Sequence, residues 1–358
     1  MTEEGIDAHA RVLLDGLLRA VGPSSYERPA AEVWRAAAAE FADVRQDSLG
    51  SSYATVNAGG GVRVALVGHI DEIGLIVKHV DPSGVLFVGE IGGWDPSVLV
   101  GQRVTVRTAG GLIPGVVGKA ARHLLSEEER KVAPKVHELW IDIGASDGAD
   151  AASAVQIGDP IVLAAEPVQL RGRRLASRAL DNRLGALVVL EGARRAARAG
   201  DLRAEVVAIA SVREETSYSG ARTAVYAVDP DVALTLDVTH TDDYPNSNQA
   251  RVTGSRSLGS GPSISRGAAQ HEGVAQRLIA VAGEAGLPYT LEADGTASWT
   301  DAEAIQEVRE GIPCGLVGIP LRYMHSPSET CDLRDVEQSI DLVARFCRSL
   351  APGEDWTQ

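Results

Sequence analysis

His69 and Asp71 stand two residues apart, directly after an apolar run, Val64-Ala-Leu-Val67. Such a run reads as a buried strand of a parallel sheet, and open α/β sheets bind ligands just past the carboxyl ends of their strands. There an imidazole can hold a divalent metal, while an acid two residues on can hold the other ring nitrogen and fix its tautomer. With eight histidines and 49 acids in the chain, one His-x-Asp pair is as easily chance as a site. It needs partners.

Four further stretches repeat the placement. Leu180-Asp181-Asn182-Arg183 opens a long amphipathic segment, which puts Asp181 at or near a helix N-cap, where capping is an ordinary use of Asp. Glu214 and Glu215 follow the strand-like stretch 206–212; two adjacent carboxylates repel there, and packing needs neither. The run Glu127-Glu128-Glu129 is the contrast, a solvated helix face. Asp237 closes the apolar stretch 232–238, and His325, in Met324-His-Ser-Pro327, follows the stretch 314–319. His69, Asp181, Glu215, Asp237 and His325 therefore belong to one edge of one sheet. Two imidazoles and three carboxylates suit borderline divalent ions such as zinc or cobalt. With one carboxylate bridging, five ligands suffice for two ions, and a glutamate is left over as a base. That is the inventory of a dinuclear hydrolase.

His79, His123, His137, His240 and His271 lack this combination of strand end and acid partner and read as surface or packing residues. The sequence carries no Walker loop, no dinucleotide fingerprint and no Gly-x-Ser-x-Gly elbow.

The elements that must position these residues follow from length and pattern. A chain of 358 residues exceeds one compact core, so two structural units are expected. Helical spacing marks 7–20, 31–41, 182–199, 219–226, 274–285 and 333–350, and strands are expected at 62–67, 206–212, 232–238 and 314–319. Between 74 and 166 the character changes to short strands separated by Gly, Pro and Asp, with one helix around 126–131; this reads as a small antiparallel barrel or sandwich. A Gly/Ser-rich loop is expected over 254–267. The fold class is α/β: a mixed, mostly parallel sheet flanked by helices, formed by 1–73 and 167–358, with a small β-barrel-like domain inserted at 74–166.

Charge and composition exclude other classes. A net charge of −15 argues against a nucleic-acid surface, and no run approaches the ~20 apolar residues of a membrane span. Met1-Thr-Glu-Glu lacks the basic start and apolar core of a signal peptide. Cys314, Cys331 and Cys347, odd in number and without a close pair, read as reduced buried thiols of a cytoplasmic protein.

Assembled, these motifs resemble the tetrahedral aminopeptidases, the glutamyl/deblocking family of dinuclear metallopeptidases. The resemblance is carried by Gly68-His-Ile-Asp-Glu-Ile-Gly74, His123-Leu-Leu-Ser-Glu-Glu-Glu-Arg130, Trp140-Ile-Asp-Ile-Gly-Ala145, Leu180-Asp-Asn-Arg183, Glu214-Glu215 and Ile319-Pro-Leu-Arg-Tyr-Met-His-Ser-Pro327. It implies that one metal is held by His69, Asp181 and Asp237. The second is held by Asp181, Glu215 and His325, with Asp181 bridging. Glu214 matches the general base that activates a metal-bridged water, and Asp71 the acid that orients His69. It further implies peptide substrates, and a β insertion that forms dimers and, from them, a tetrahedral dodecamer with inward-facing sites. Two stretches depart from the family pattern: Glu214-Glu-Thr-Ser-Tyr-Ser-Gly220, and Gly295-Thr-Ala-Ser-Trp-Thr-Asp-Ala-Glu303 with its Trp299 and Glu303. The expected activity is release of N-terminal residues from peptides. A metal-dependent hydrolase of acyl-amino or glycan-derived compounds, or a catalytically silent assembly protein, are the alternatives.

Overall fold

The computed structural model describes residues 5–247, 251 and 254–357; the acidic start Met1-Thr-Glu-Glu lies outside them. Three strands come first: Asp43–Gln46 (β1), Ser52–Val56 (β2) and Arg63–His69 (β3). Six then close a barrel: Gly74–Val80 (β4), Leu86–Ile91 (β5), Arg103–Thr108 (β6), Gly111–Gly118 (β7), Trp140–Asp142 (β8) and Pro160–Leu163 (β9). Eight more complete the large sheet: Val168–Gln169 (β10), Arg174–Ser177 (β11), Glu205–Ser211 (β12), Val232–His240 (β13), Ser263–Gly267 (β14), Thr290–Asp294 (β15), Cys314–Arg322 (β16) and Glu329–Asp332 (β17).

The sheet runs β1-β2-β12-β3-β13-β16-β17-β11-β10, with β14 and β15 branching from β16. Its middle, β12-β3-β13-β16, is parallel, and its edges are antiparallel. Strand β3 is buried on both faces, and its side chains alternate between them. Val64 and Leu66 pack under the helices Ala8–Arg19, Leu180–Arg198 and Leu333–Ser349, while Ala65 and Val67 pack under Ser219–Val228 and Asp301–Gln306.

The helix Leu180–Arg198 is buried on nearly every side, including its Asp181, Asn182, Arg183, Glu191 and Arg194, and packs against β3, β12 and β13. Its approach is set by glycines: a Cβ on Gly68 would come within 2.6 Å of the Gly185 carbonyl carbon. Strand and helix backbones can touch there only because Gly68 lacks a side chain, and that contact brings the start of the helix to the end of β3; a Cβ on Gly185 would meet the Leu236 carbonyl of β13 at 2.4 Å.

The barrel closes in the order β4-β5-β8-β7-β6-β9, every pair antiparallel, around Val77, Leu86, Val104, Val106, Ile141 and Ile161. The helix expected around 126–131 is a single 3-10 turn, Glu129–Lys131. Six polar residues offer no apolar face and too few bonds to offset nucleation of an α-helix. The stretch 254–267, expected as a loop, ends in strand β14, which pairs with β16 and β15. Ser263–Gly267 contains one large apolar residue, Ile264, too few to mark a strand, so the neighbouring strands specify it. Among the described residues no helix is long and apolar enough to cross a membrane, and the three cysteines are buried and free.

Candidate metal centre

All of the chemically active side chains but Asp237, which lies three residues inside the end of β13, stand where an element ends or begins. His69 is the last residue of β3, in register with Ser211 at the end of β12, and Asp237 lies on β13, beside β3. Glu214 and Glu215 open the short helix Glu214–Ser217 just after β12. Asp181 sits in the first turn of Leu180–Arg198, where φ −78° and ψ 106° depart from helical values. Its carboxylate does not cap the helix but faces the histidines. His325 comes from the turn between β16 and β17 with φ 59°. Ala179, Arg213, Tyr218 and Trp299 also carry left-handed backbones, and strain of this kind concentrates around functional sites.

The side chains converge on Asp181. Its Oδ1 lies 3.2 Å from His69 Nε2 and its Oδ2 lies 3.4 Å from His325 Nε2. Glu215 Oε2 is 3.4 Å from His325 Nε2. Glu214 Oε2 and Asp237 Oδ1 are each 3.7 Å from His69 Nε2, so distance alone does not separate the two acids. Ligand atoms of His69, Asp181 and Glu215 lie within 4.8 Å of one another, as do those of His69, Glu214 and Asp237. Asp71 is 3.4 Å from His69 Nδ1, which has no formed hydrogen bond. Its firm bonds come from the backbone N–H groups of Glu214 (3.1 Å) and Glu215 (3.2 Å), and from the Ser24 hydroxyl. Asp71 thus ties the end of β3 to the end of β12.

A family model described as M42 glutamyl aminopeptidase matches residues 50–342. The chain belongs to that family. It is a peptidase, a hydrolase with aminopeptidase function. A lysyl aminopeptidase of Pyrococcus furiosus is 34% identical over 313 residues, 87% of this chain and 88% of its own length. The structure is similar to a TET aminopeptidase from the marine sediment archaeon Thaumarchaeota archaeon SCGC AB-539-E09, with a TM-score of 0.90 and 33% identity over 95% of this chain and 96% of that one. The TET1 peptidase of Pyrococcus horikoshii, which can assemble into a tetrahedron or a large octahedral shell, has a TM-score of 0.85 and 27% identity over 95% and 100% of the two chains.

M42 peptidases are metal-dependent, and the donor set of this one fits cations. Four carboxylates meet two imidazoles, and Glu215 Oε1 is buried without a hydrogen-bond partner. Burial pushes Glu215 up to about 7, against the pull of His325. Burial also holds Glu214 well above the usual carboxylate range, helped by Asp237, Asp301 and Glu215 and opposed by His69. Burial disfavours charge on His325, but Asp181 and Glu215 outweigh it and raise the imidazole to about 11. Asp181 is held low in spite of its burial, because both histidines face it. Without cations, the cluster can balance its charge only with protons.

Several residues of this M42 site escape sequence reasoning. Glu329, 2% exposed, accepts the backbone N–H of Asp181 through Oε2 (3.0 Å) and that of His325 through Oε1 (2.9 Å). One carboxylate therefore holds two segments, and because both bonds go to backbone, no side-chain spacing announces it. His240, read as outside the cluster, lines the same cavity of about 620 Å³ together with Tyr218, Glu292, Asp294 and Trp299. The grouping of Asp7, His9 and Glu191 lies elsewhere; Arg194 already pairs with both of its acids, which makes it an ion-pair network.

Proposed function

We propose that this M42 peptidase releases N-terminal residues from peptides using two divalent cations, zinc or cobalt, held by His69, Asp181, Glu215, Asp237 and His325. The observation that carries this reading is the Asp181 carboxylate, which turns one oxygen to each of two imidazoles. That is the disposition of a bridging ligand. Following the family motif, His69, Asp181 and Asp237 would hold one ion, and Asp181, Glu215 and His325 the other. When bound, such ions lower the pKa of water toward neutrality and polarise the peptide carbonyl.

The chain's own residues do the rest. Glu214 takes the proton of the attacking water and passes it to the departing amine. Its burial among like charges favours the protonated form that the second half of this cycle requires. Asp71 holds the backbone of both glutamates and stands behind His69. Glycan hydrolysis usually works with two carboxylates flanking the bond; here Asp181, Glu214, Glu215 and Asp237 each lie within 4 Å of an imidazole, which favours the peptidase. Metal analysis and turnover of aminoacyl anilides test the reading. Protein loaded with two ions should cleave free-amine substrates and spare acetylated ones; a loaded protein that cleaves none refutes it.

We assign 1–73 and 167–358 to the catalytic domain and 74–166 to a dimerisation domain. On the barrel side, Leu112 is 61% exposed and Val116 46%, apolar surface that a second copy would cover. The assembly of the TET1 relative supports a tetrahedral dodecamer built from such dimers. Sedimentation should show it, and a monomer at micromolar concentration would contradict it. Three buried free thiols support a reducing, cytoplasmic setting.

A further inference from the structure

One wall of the cavity beside the carboxylate–imidazole cluster is built by β15 and the loop that follows it, and that loop departs from the family pattern. Glu292 and Asp294 line this wall, and among the described residues no Lys or Arg lines the cavity. The undescribed residues of the β13–β14 connection, Asn248, Gln249, Ala250, Val252 and Thr253, carry no charge.

The two acids are not equivalent. Glu292 is already engaged: the buried Arg256 reaches its Oε1 at 3.1 Å, and the Thr239 hydroxyl donates to it. Asp294 accepts a hydrogen bond from the Ser265 hydroxyl and has no cationic partner among the described residues. It is a carboxylate facing a cavity with its charge unanswered.

An aromatic residue lines the same cavity. Trp299 is 78% exposed yet lines the cavity. Its backbone, with φ 56°, is pinned because Glu303 accepts the N–H groups of both Ser298 and Trp299, the latter at 2.7 Å. The backbone that carries the indole is thus fixed, and no hydrophobic cluster of the described residues includes the ring.

We propose that this wall selects N-terminal residues with a cationic side chain, lysine or arginine. The indole would cover the aliphatic stem and offer its face to the charge, and Asp294 would receive the ammonium or guanidinium in a charge-assisted hydrogen bond. The inference rests on the peptidase reading of the site and adds its substrate class. Glutamyl in the family description and lysyl in the name of the Pyrococcus furiosus relative point to opposite preferences. Here an acidic side chain would leave water to meet Asp294 with no Lys or Arg lining the cavity, which like-charge repulsion disfavours.

The test compares lysyl, arginyl, norleucyl and glutamyl p-nitroanilides with the metal-loaded full chain. Norleucine has the length of the lysine stem without its charge. Lysyl kcat/KM should exceed norleucyl by about tenfold and glutamyl by about 100-fold. Asp294→Asn should lower the lysyl-to-norleucyl ratio by about tenfold or more, the worth of one charge-assisted bond. Trp299→Ala should lower lysyl and norleucyl together relative to alanyl anilide. Each ratio is internal to one preparation, so loss of folded or metal-loaded protein cancels. Turnover that favours glutamyl or norleucyl substrate, or an Asp294→Asn ratio equal to wild type, overturns the proposal while leaving the peptidase reading standing. No turnover of any anilide overturns both.

Discussion

Glu329→Gln should weaken metal binding by about 10- to 100-fold without removing a single ligand. The buried carboxylate accepts the N–H of Asp181 at 3.0 Å and of His325 at 2.9 Å, so it fixes the backbone of the bridging ligand and of one imidazole together. Each charge-assisted bond contributes roughly 1.5–3 kcal/mol. The amide of Gln keeps one acceptor oxygen and turns an NH2 toward the other N–H, so one bond is lost and one buried donor is left unpaired. At about 1.4 kcal/mol per factor of ten, that loss corresponds to roughly 10- to 150-fold, and groups that orient metal ligands typically give 10–100-fold. In the metal-free protein, burial and the neighbouring Asp181 charge push Glu329 well above the usual range. Removing the acid there also removes a burden, and the metal-free melting temperature should move little. Titration of metal-free protein against a chromophoric chelator reads the affinity. An affinity equal to wild type would refute the argument that this carboxylate positions both segments.

Three other outcomes follow from the same geometry. Glu215→Ala should lose about one ion per chain, with activity partly restored by excess metal, whereas Glu214→Gln should keep both ions and lose at least ~10²-fold in kcat; metal stoichiometry beside kcat decides, and the opposite pattern reverses the two roles. His325 is raised to about 11 and His69 well above its usual value, so at neutral pH the metal-free histidines hold protons that an incoming ion must displace. Apparent affinity should therefore rise with pH by about tenfold per unit or more between pH 6 and 8, and calorimetry in buffers of different ionisation heat should register the proton release; a flat profile would contradict the raised values. Gly68→Ala should destabilise the fold by roughly 1–3 kcal/mol, because the added Cβ meets the Gly185 backbone at 2.6 Å; denaturant melts measure it, and a midpoint unchanged from wild type would mean that strand and helix can separate freely.

Local pattern was enough for the middle of this molecule. The run ending at His69 and the strands before Glu214 and at Asp237 are apolar because they are buried on both sides, and such burial writes itself into sequence as uninterrupted hydrophobic residues; the long helix behind Asp181 shows in its helical spacing. Acids and histidines at the ends of those elements stood out because packing had no use for them, and family-like motifs named their roles. The edges were not legible in the same way. Strands β1, β10, β15 and β17 are short and largely polar, and β14 lies in a Gly/Ser-rich stretch; their conformation is decided by the strand alongside, which for β14 (beside β16) and β17 (beside β11) lies far away in the chain. The same limit applies at the site. Sequence placed Asp181 at a helix start, where capping and ligation look alike, and only the folded chain turns its two oxygens toward His69 and His325. Glu329 and Asp71 act through bonds to backbone N–H groups, which carry no residue identity for a pattern to detect. Residue type decided what chemistry the chain could perform. Which atoms meet depends on contacts between distant segments, and those exist only after the sheet has brought its strand ends together.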